Sequence, residues 1–357
     1  MNTAPAATSR DTSPALQRAI DSYQAPRGYL AVASIGLPIA ETISAQKHDL
    51  DLWSAASRDP MDYDGILERT RGYYAKLVGV APDRVATGSQ TSVIASLVAA
   101  AVPDGAEVLC VNGEFSSVVF PFLQRPGIRI RYVDVVELAD AITDNTWLVA
   151  FSHVQSASGL VADVNAIAEA AARHDTYTFC DLTQSAGAHP VDAALFDATV
   201  CHAYKWLCSP RGVAFLTVSE RFQDVLTPLQ AGWYAGDDVW ASCYAPHMQL
   251  APTARRFDVS PAWPAWVGAE PAIRMFSELD IAEVWARVSG LGAQLCDALG
   301  VEQQRQAIVT WPDADGSDLR KLTAAGIRVS GRAGRLRASF HLWNDESDVD
   351  AVVAALR

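Results

Sequence analysis

The chain has 357 residues, half of them hydrophobic, which is enough to bury a sizeable core and predicts two lobes. Its formal net charge of −13 argues against nucleic acid or an anionic membrane as a main partner, because both are recognised by basic surfaces. No segment approaches the roughly 20 consecutive apolar residues of a membrane-spanning helix, and the start lacks the apolar part of a secretory signal, so we expect a cytoplasmic protein.

The predicted elements begin with a polar arm and continue as alternating strands and helices. Residues 1–27 contain many polar side chains, Pro and Ser, which predicts a flexible arm around one short helix. From about residue 60, alanine-rich stretches with helical spacing alternate with seven apolar or β-branched runs: RVATG, EVLCVNG, IRIRYVDV, WLVAFSHV, YTFCDLT, TVCHAYKWL and GVAFLTVS. This alternation predicts an α/β fold with a mainly parallel seven-stranded sheet flanked by helices.

The pattern changes near residue 230. Residues 231–266 are dense in Trp, Tyr, Pro and Gly, which predicts an ordered functional loop. Its aromatic side chains either line a substrate pocket or belong to the core or to a dimer interface. Its large aromatic residues include Trp233, Tyr234, Trp240 and Trp263. One helix is predicted over about 264–299, and the short strands and helices after it predict a smaller α+β lobe. Three units are predicted. Residues 1–40 form an N-terminal arm joining the small lobe, residues 41–255 a large cofactor-binding domain and residues 256–357 a small C-terminal domain.

Two ionisable residues end successive predicted strands. Lys205, one of only four lysines, follows a strand at the carboxyl edge of the sheet, where open α/β sheets bind ligands. Its amine either extends to solvent or, when partly desolvated, forms a Schiff base with an aldehyde. Asp181 ends the strand YTFCD and is a helix cap, a metal ligand or the partner of a pyridine nitrogen. A pyridoxal phosphate site needs such a carboxylate and such a lysine.

The segment DLTQSAGAHPVD…CHAYKWLCSPRGVAFL resembles the signature of class V aminotransferase-like pyridoxal phosphate enzymes of fold type I. This group includes cysteine desulfurases, kynureninases and isopenicillin N epimerase-like proteins. The resemblance extends from GYLAVASIGLP to LRASFHLWNDESDVDAV. It implies that Lys205 holds the cofactor covalently, that Asp181 contacts its pyridine nitrogen and that Gln184 contacts its phenolic oxygen. From the residue alone, Gln184 is equally an exposed amide on a first helical turn.

The same resemblance implies further cofactor contacts. Thr91 and Ser92 open a helix after a strand and resemble phosphate ligands, although both are also ordinary helix caps. Phe115 takes the place of the ring-stacking aromatic residue and is otherwise a core residue, while Trp206 is expected to pack. In the Arg-Phe-Asp-Val-Ser-Pro motif, Ser260 is expected to reach the phosphate of a neighbouring subunit, which implies a homodimer with shared active sites. The full set of these expected contacts is Gln90, Thr91, Ser92, Phe115, His202, Tyr204 and Ser260.

The expected substrate is an α-amino acid. Arg337, in GRLRASFHLWN, resembles the family arginine that grips the substrate carboxylate, with Arg332 and Arg335 as local alternatives. Ser156 and His153, in FSHVQSASG, are secondary substrate contacts. The six cysteines form no CxxC pair, so neither a structural metal nor disulfides are expected.

The resemblance implies chemistry through an external aldimine and a Cα carbanion, from which several reactions diverge. Persulfide-forming desulfurases need a cysteine on a loop shortly before the carboxylate-binding arginine, and no cysteine follows Cys296. We therefore expect a lyase that cleaves a C–S or C–C bond at or beyond Cβ and not a persulfide-forming desulfurase. An aminotransferase, an amino-acid epimerase and a catalytically degenerate binding module are the alternatives.

Overall fold

A large seven-stranded sheet organises the computed structural model, which describes residues 12–246, 248–332 and 334–357. The first eleven residues of the expected arm lie outside the described residues. Each of the seven predicted runs overlaps one strand, and these strands are β1 (Val85–Gly88), β2 (Glu107–Val111), β3 (Arg129–Val133), β4 (Thr146–Ser152), β5 (Tyr177–Asp181), β6 (Ala198–His202) and β7 (Ala214–Val218). Their order is β1-β7-β6-β5-β4-β2-β3, and only β7 runs antiparallel to its neighbours. The prediction of a mainly parallel seven-stranded sheet is confirmed.

Helices cover both faces of this sheet. They are α2 (Ala40–Ser54), α3 (Asp62–Leu77), α4 (Thr91–Ala101), α5 (Ser116–Leu123), α6 (Val164–Arg173), α7 (Glu220–Gln223) and α8 (Trp263–Ser277). Because successive strand residues point to opposite faces, Val149 and Phe151 belong to one buried cluster and Leu148 and Ala150 to another. The strands are therefore apolar on both faces, which is why they read as continuous apolar runs.

The single helix predicted over 264–299 is wrong. Two helices occupy this stretch, α8 and α9 (Ile281–Leu299). The Asp280 side chain accepts a hydrogen bond from the N–H of Ala282 (2.9 Å) and caps the start of α9. α8 packs against α2 and α3, whereas α9 packs against strand β8 (Ile308–Pro312), so the break carries the chain from one lobe to the other.

A smaller antiparallel sheet, of order β8-β10-β9, forms the second lobe together with α9 and two further helices. The remaining elements are β9 (Ser330–Arg332), β10 (Arg335–Ser339), α10 (Ser317–Ala324) and α11 (Glu346–Leu356). The N-terminal segment contains α1 (Pro14–Asp21) and then pairs with this lobe through isolated bridges from Tyr29 to Arg328 and from Ala31 to Ser339. The domain boundaries at residues 40 and 255 stay predictions.

Within the described ranges, none of the helices combines the length and the apolar character that crossing a bilayer requires.

The aromatic stretch packs against the first turn of α3. The Tyr234 hydroxyl and the Trp240 indole N–H donate to the two carboxylate oxygens of Asp64, at 3.0 and 2.7 Å. The Trp263 indole donates to the Tyr234 hydroxyl (3.0 Å), and the Trp233 ring lies 5.0 Å from that of Trp240. These four aromatic residues thus form one cluster whose indole and phenol hydrogen bonds converge on a single acid.

Candidate active site

The candidate active site lies at the carboxyl edge of the large sheet. Because only β7 runs in the opposite direction, the carboxyl ends of the other six strands meet at one edge. The polar residues expected from the sequence follow four of these ends. In chain order they are Gln90, Thr91, Ser92, His153, Asp181, Gln184, His202, Tyr204 and Lys205, with Phe115 following β2 at the same edge.

Asp181 and Lys205 are buried together at this edge. Their side chains are close enough for the Lys205 charge to act on the Asp181 carboxyl, and both residues are about 95 % buried, at 4 % and 6 % exposure. Burial raises the pKa of Asp181 to about 6, against the opposing effects of hydrogen bonds from Thr183 and of the Lys205 ammonium. The Thr183 N–H donates to Asp181 Oδ1 at 2.8 Å. The site therefore contains a desolvated acid beside a desolvated amine.

Aromatic rings surround the Lys205 amine. Lys205 Nζ lies 5.2 Å from the ring centre of Phe115 and 5.7 Å from that of Tyr204. The Arg211 guanidinium lies 5.1 Å from the centre of the same Tyr204 ring. The sequence reasoning did not select Arg211. Phe115 is 39 % exposed, and a partly exposed ring next to the lysine suits stacking better than a core position does.

The end of β6 and the start of α4 offer donors for an anion. His202 is buried, and burial lowers its pKa to about 4, with the charges of Arg211 and Lys205 adding to the effect. Among the described residues its Nε2 atom has no hydrogen-bond partner. Gln90 precedes α4 without a side-chain capping bond, so the first N–H groups of that helix face the same edge uncapped.

Ser260 lies near the end of β1. The N–H of Val259 donates to the carbonyl of Thr87, which places the next residue, Ser260, beside this strand end with an exposed side chain. A buried ion pair holds the segment, since Arg71 Nη2 lies 2.6 Å from Asp258 Oδ2 and Asp258 Oδ1 accepts from the Thr87 N–H at 2.6 Å. The role of Ser260 toward a neighbouring subunit stays a prediction.

Gln184 and Trp206 are joined by a hydrogen bond. The indole N–H of Trp206 donates to Gln184 Oε1 at 2.7 Å, and Gln184 Nε2 donates to the carbonyl of Ala33 at 3.0 Å. Gln184 is buried, which differs from the exposed amide that its residue type alone allows. Trp206 is buried, as expected of a packing residue, and its indole N–H also holds the side chain of Gln184.

Glu114 is the acid of this edge that the sequence reasoning missed. Its carboxylate accepts from the N–H and hydroxyl of Ser152 (2.7 and 2.6 Å), from Gln155 Nε2 (2.8 Å) and from the Phe115 N–H (2.7 Å). These bonds tie the loop that carries Phe115 to the end of β4. The signal in the sequence was an acid directly before Phe115, in the motif NGEFSS.

Arg337 is buried where three segments meet. Its guanidinium donates to the carbonyl of Ser156, to the hydroxyl of Ser34 (2.9 Å) and, through Nε, to the hydroxyl of Ser330 (3.0 Å). The segment of Ser34 also reaches the lysine loop, because the Gly36 N–H donates to the carbonyl of Tyr204 at 2.9 Å. The structure therefore connects Arg337 to the lysine loop through one short segment.

His153 is buried at the end of β4. Its N–H donates to the carbonyl of Asp181 (3.0 Å), and among the described residues its Nδ1 atom has no hydrogen-bond partner. Burial lowers its pKa to about 3, with His189 adding to the effect, so the ring is neutral at physiological pH. Ser156 is held by its carbonyl contact with Arg337. The substrate roles of both residues stay predictions.

Residues 61–325 match the family model described as Aminotransferase class-V, and the chain belongs to that family. It is 27 % identical over 229 residues to an uncharacterized aminotransferase, YcbU, of Bacillus subtilis, covering 61 % of this chain and 60 % of the relative. It is 30 % identical over 247 residues to a kynureninase of Deinococcus radiodurans, covering 66 % of this chain and 59 % of the relative. It is also 30 % identical over 187 residues to an isopenicillin N epimerase of Amycolatopsis lactamdurans, covering 46 % of this chain and 50 % or less of the relative. The chain thus spans less than two thirds of the length of these relatives.

Solved structures share the fold over nearly the whole chain. A complex of the cystine C–S lyase C-DES with its reaction product cysteine persulfide matches with a TM-score of 0.84 and 19 % identity, covering 93 % of this chain and 97 % of the other. The cysteine desulfurase CsdA of Escherichia coli matches with a TM-score of 0.83 and 19 % identity, covering 96 % and 97 %. Both confirm the α/β fold with its large and small sheets.

Proposed function

We propose that the protein is a pyridoxal phosphate-dependent lyase that acts on an α-amino acid and cleaves a bond at or beyond Cβ. The observation that carries this proposal is the buried pair of Lys205 and Asp181 at the carboxyl edge of the sheet, with the Phe115 ring 5.2 Å from the lysine amine. A carboxylate for the pyridine nitrogen, an amine for the aldehyde and an aromatic ring are the groups that this cofactor requires.

The remaining residues at this edge fit the cofactor. The buried Nε2 atom of His202, which has no partner among the described residues, and the uncapped start of α4 at Thr91 and Ser92 suit a dianionic phosphate. When bound, pyridoxal phosphate supplies an electron-poor ring that stabilises negative charge at the substrate Cα. Asp181 keeps the ring nitrogen protonated, and the buried Lys205 amine takes up and returns the proton at Cα.

Arg337 is the proposed partner of the substrate carboxylate. A guanidinium binds a carboxylate through two parallel hydrogen bonds, and burial strengthens such bonds because water does not compete for them. The contacts of Arg337 with Ser34 and Ser156 keep the guanidinium fixed beside the segment that reaches the lysine loop. We also propose a homodimer in which Ser260, exposed in the single chain, contacts the phosphate of the other subunit.

Two features support a lyase over a persulfide-forming desulfurase. β9 and β10 pair antiparallel with Arg332 opposite Arg335, so only two residues separate the strands and no cysteine-bearing loop precedes Arg337. Five of the six cysteines are buried, and Cys243 is the exception. Burial raises the pKa of Cys208, the cysteine nearest to Lys205 in the sequence, to about 12, which suppresses its thiolate.

The first experiment tests the cofactor and its lysine. Purified protein should show the visible absorbance of covalently held pyridoxal phosphate, and borohydride reduction followed by peptide mass mapping should place the adduct on Lys205. Lys205→Ala should lose both signals, whereas Lys76→Ala, a change on the surface helix α3, should keep them. An adduct that persists in Lys205→Ala would exclude the proposed role, and wild-type protein without any adduct would exclude the function.

The second experiment separates the reactions that the family supports. The holoenzyme is incubated with a panel of amino acids that includes cystine, cysteine and kynurenine. Release of pyruvate, ammonia or a cleaved side chain supports the lyase. Exchange with a keto acid identifies an aminotransferase, and solvent deuterium uptake with inversion at Cα identifies an epimerase; either result, without cleavage products, overturns the lyase proposal.

A further inference from the structure

The side-chain amide of Gln184 is held between one donor and one acceptor. Its Oε1 atom accepts from the Trp206 indole at 2.7 Å, and its Nε2 atom donates to the carbonyl of Ala33 at 3.0 Å. All three residues are buried, with exposures of 6 % or less. Water is therefore not a substitute for either partner.

These two partners allow only one orientation of the amide. An indole N–H only donates, and a main-chain carbonyl only accepts. A Gln184 amide turned by 180° would place its NH2 group against the indole N–H and its oxygen against the Ala33 carbonyl. Both hydrogen bonds would be lost in a buried position, which is costly. Trp206 and the Ala33 carbonyl together decide which end of the amide is the donor.

Trp206 is itself fixed from the small lobe. The N–H of Leu342 donates to His341 Nδ1 at 2.7 Å, so the hydrogen of the neutral imidazole is on Nε2, and Nε2 donates to the Trp206 carbonyl at 2.9 Å. The rings of His341 and Trp206 stack with their centres 5.7 Å apart. Trp206 directly follows Lys205, so these contacts also hold the lysine loop.

We infer that Trp206 is a positioning residue that holds the Gln184 amide with Nε2 as a donor toward the phenolic oxygen of pyridoxal phosphate. One Nε2 hydrogen is used by the Ala33 carbonyl, which leaves the second hydrogen for the cofactor. This inference rests on the proposed function. It assigns to the tryptophan beside the lysine a role that packing alone does not provide.

The test titrates full-length protein with pyridoxal phosphate. Trp206→Phe keeps an aromatic ring and removes the N–H, and Gln184→Met keeps the side-chain length and removes the amide. Trp266→Phe is the matched control, because Trp266 is also buried but its indole N–H has no hydrogen-bond partner among the described residues. The readouts are the dissociation constant and the visible spectrum of the bound cofactor.

Trp206→Phe and Gln184→Met are each expected to raise the dissociation constant about tenfold, equivalent to about 1.4 kcal/mol and the size of one hydrogen bond. The double variant should show the same loss of about tenfold, because both changes remove one shared interaction. The two single variants should alter the visible spectrum in the same way. Trp266→Phe should leave the dissociation constant within about twofold of wild type.

The positioning role would be overturned if the two single losses of affinity multiply in the double variant. It would also be overturned if Trp266→Phe loses as much affinity as Trp206→Phe. An unchanged Trp206→Phe in a chain that holds the cofactor on Lys205 would overturn this inference alone, whereas wild-type protein without bound cofactor would overturn the proposed function. If Trp206→Phe does not fold, Gln184→Glu tests the donor on which the inference depends, because an ionised carboxylate keeps an acceptor for Trp206 and has no hydrogen to donate. Unchanged affinity in Gln184→Glu would refute the inference.

Discussion

Replacing Asp181 by Asn is expected to stabilise the cofactor-free protein while removing its ability to hold the cofactor. Burial raises the pKa of Asp181 from 3.8 to about 6, so the ionised carboxylate is disfavoured in the folded state. Each pKa unit corresponds to about 1.4 kcal/mol, and the ionised Asp181 therefore costs the folded protein about 3 kcal/mol at pH 8. Asn carries no charge and keeps an oxygen that accepts the Thr183 N–H.

The sign of the pH dependence follows from the raised pKa. The stability associated with protonated Asp181 is fully present below pH 3.8 and is lost as the pH rises through about 6. Asp181→Asn should therefore exceed the wild type by about 1 kcal/mol at pH 4.5 and by about 3 kcal/mol at pH 8. At about 2.1 cal/mol/K per residue, 357 residues that unfold in one transition give an unfolding entropy of about 0.75 kcal/mol/K. The midpoint should thus rise by about 4 °C at pH 8 and by about 1 °C at pH 4.5.

Differential scanning calorimetry of cofactor-free protein at the two pH values measures this difference. Asp197→Asn is the matched control, since Asp197 is also buried but accepts from Arg221 Nε at 2.6 Å, and its replacement should lower the midpoint. An Asp181→Asn midpoint equal to that of the wild type at pH 8, or a difference that does not change with pH, would refute the reasoning. Equal retention of pyridoxal phosphate would refute the role of the carboxylate in the site.

Two further predictions concern acids near the site that accept several hydrogen bonds. Glu114→Gln places an NH2 group against the main-chain N–H of either Ser152 or Phe115, so calorimetry should show a loss of about 1–3 kcal/mol, and an unchanged midpoint would contradict it. Arg71→Met leaves the Asp258 carboxylate buried without its cation and should cost about 3–5 kcal/mol. Arg71→Met combined with Asp258→Asn should regain part of that loss, and a double variant no more stable than Arg71→Met would count against an uncompensated charge as the cause.

The large sheet could be predicted because its determinants are local in sequence. Each strand is a short apolar or β-branched run, and alternation with alanine-rich helices indicates a parallel arrangement. The break between α8 and α9 was missed because apolar residues continue through it in helical spacing. Asp280, which caps α9, supplied the only local signal, and a single acid inside an apparently continuous helix is weak.

Of the site, the sequence could predict which residues reach the sheet edge but not what each one contacts. Asp181 and Lys205 end successive strands, so topology alone brings them to one edge. Glu114 precedes Phe115 in a loop, and nothing local indicates that its carboxylate accepts from Ser152 and Gln155, which are about 40 residues later in the chain. Contacts of that kind depend on how β2 and β4 pair, which a residue pattern does not encode.

Trp206 and Trp266 show where the boundary between these two kinds of information lies. Both are tryptophans in apolar surroundings, and both are buried in the structure with 1 % exposure. Composition and periodicity therefore describe them equally well as core residues. The difference is that the Trp206 N–H meets Gln184, whereas the Trp266 N–H has no hydrogen-bond partner among the described residues. Burial is encoded locally by residue type, but the pairing of a buried polar atom depends on segments distant in sequence, and this pairing distinguishes a positioning residue from a packing residue.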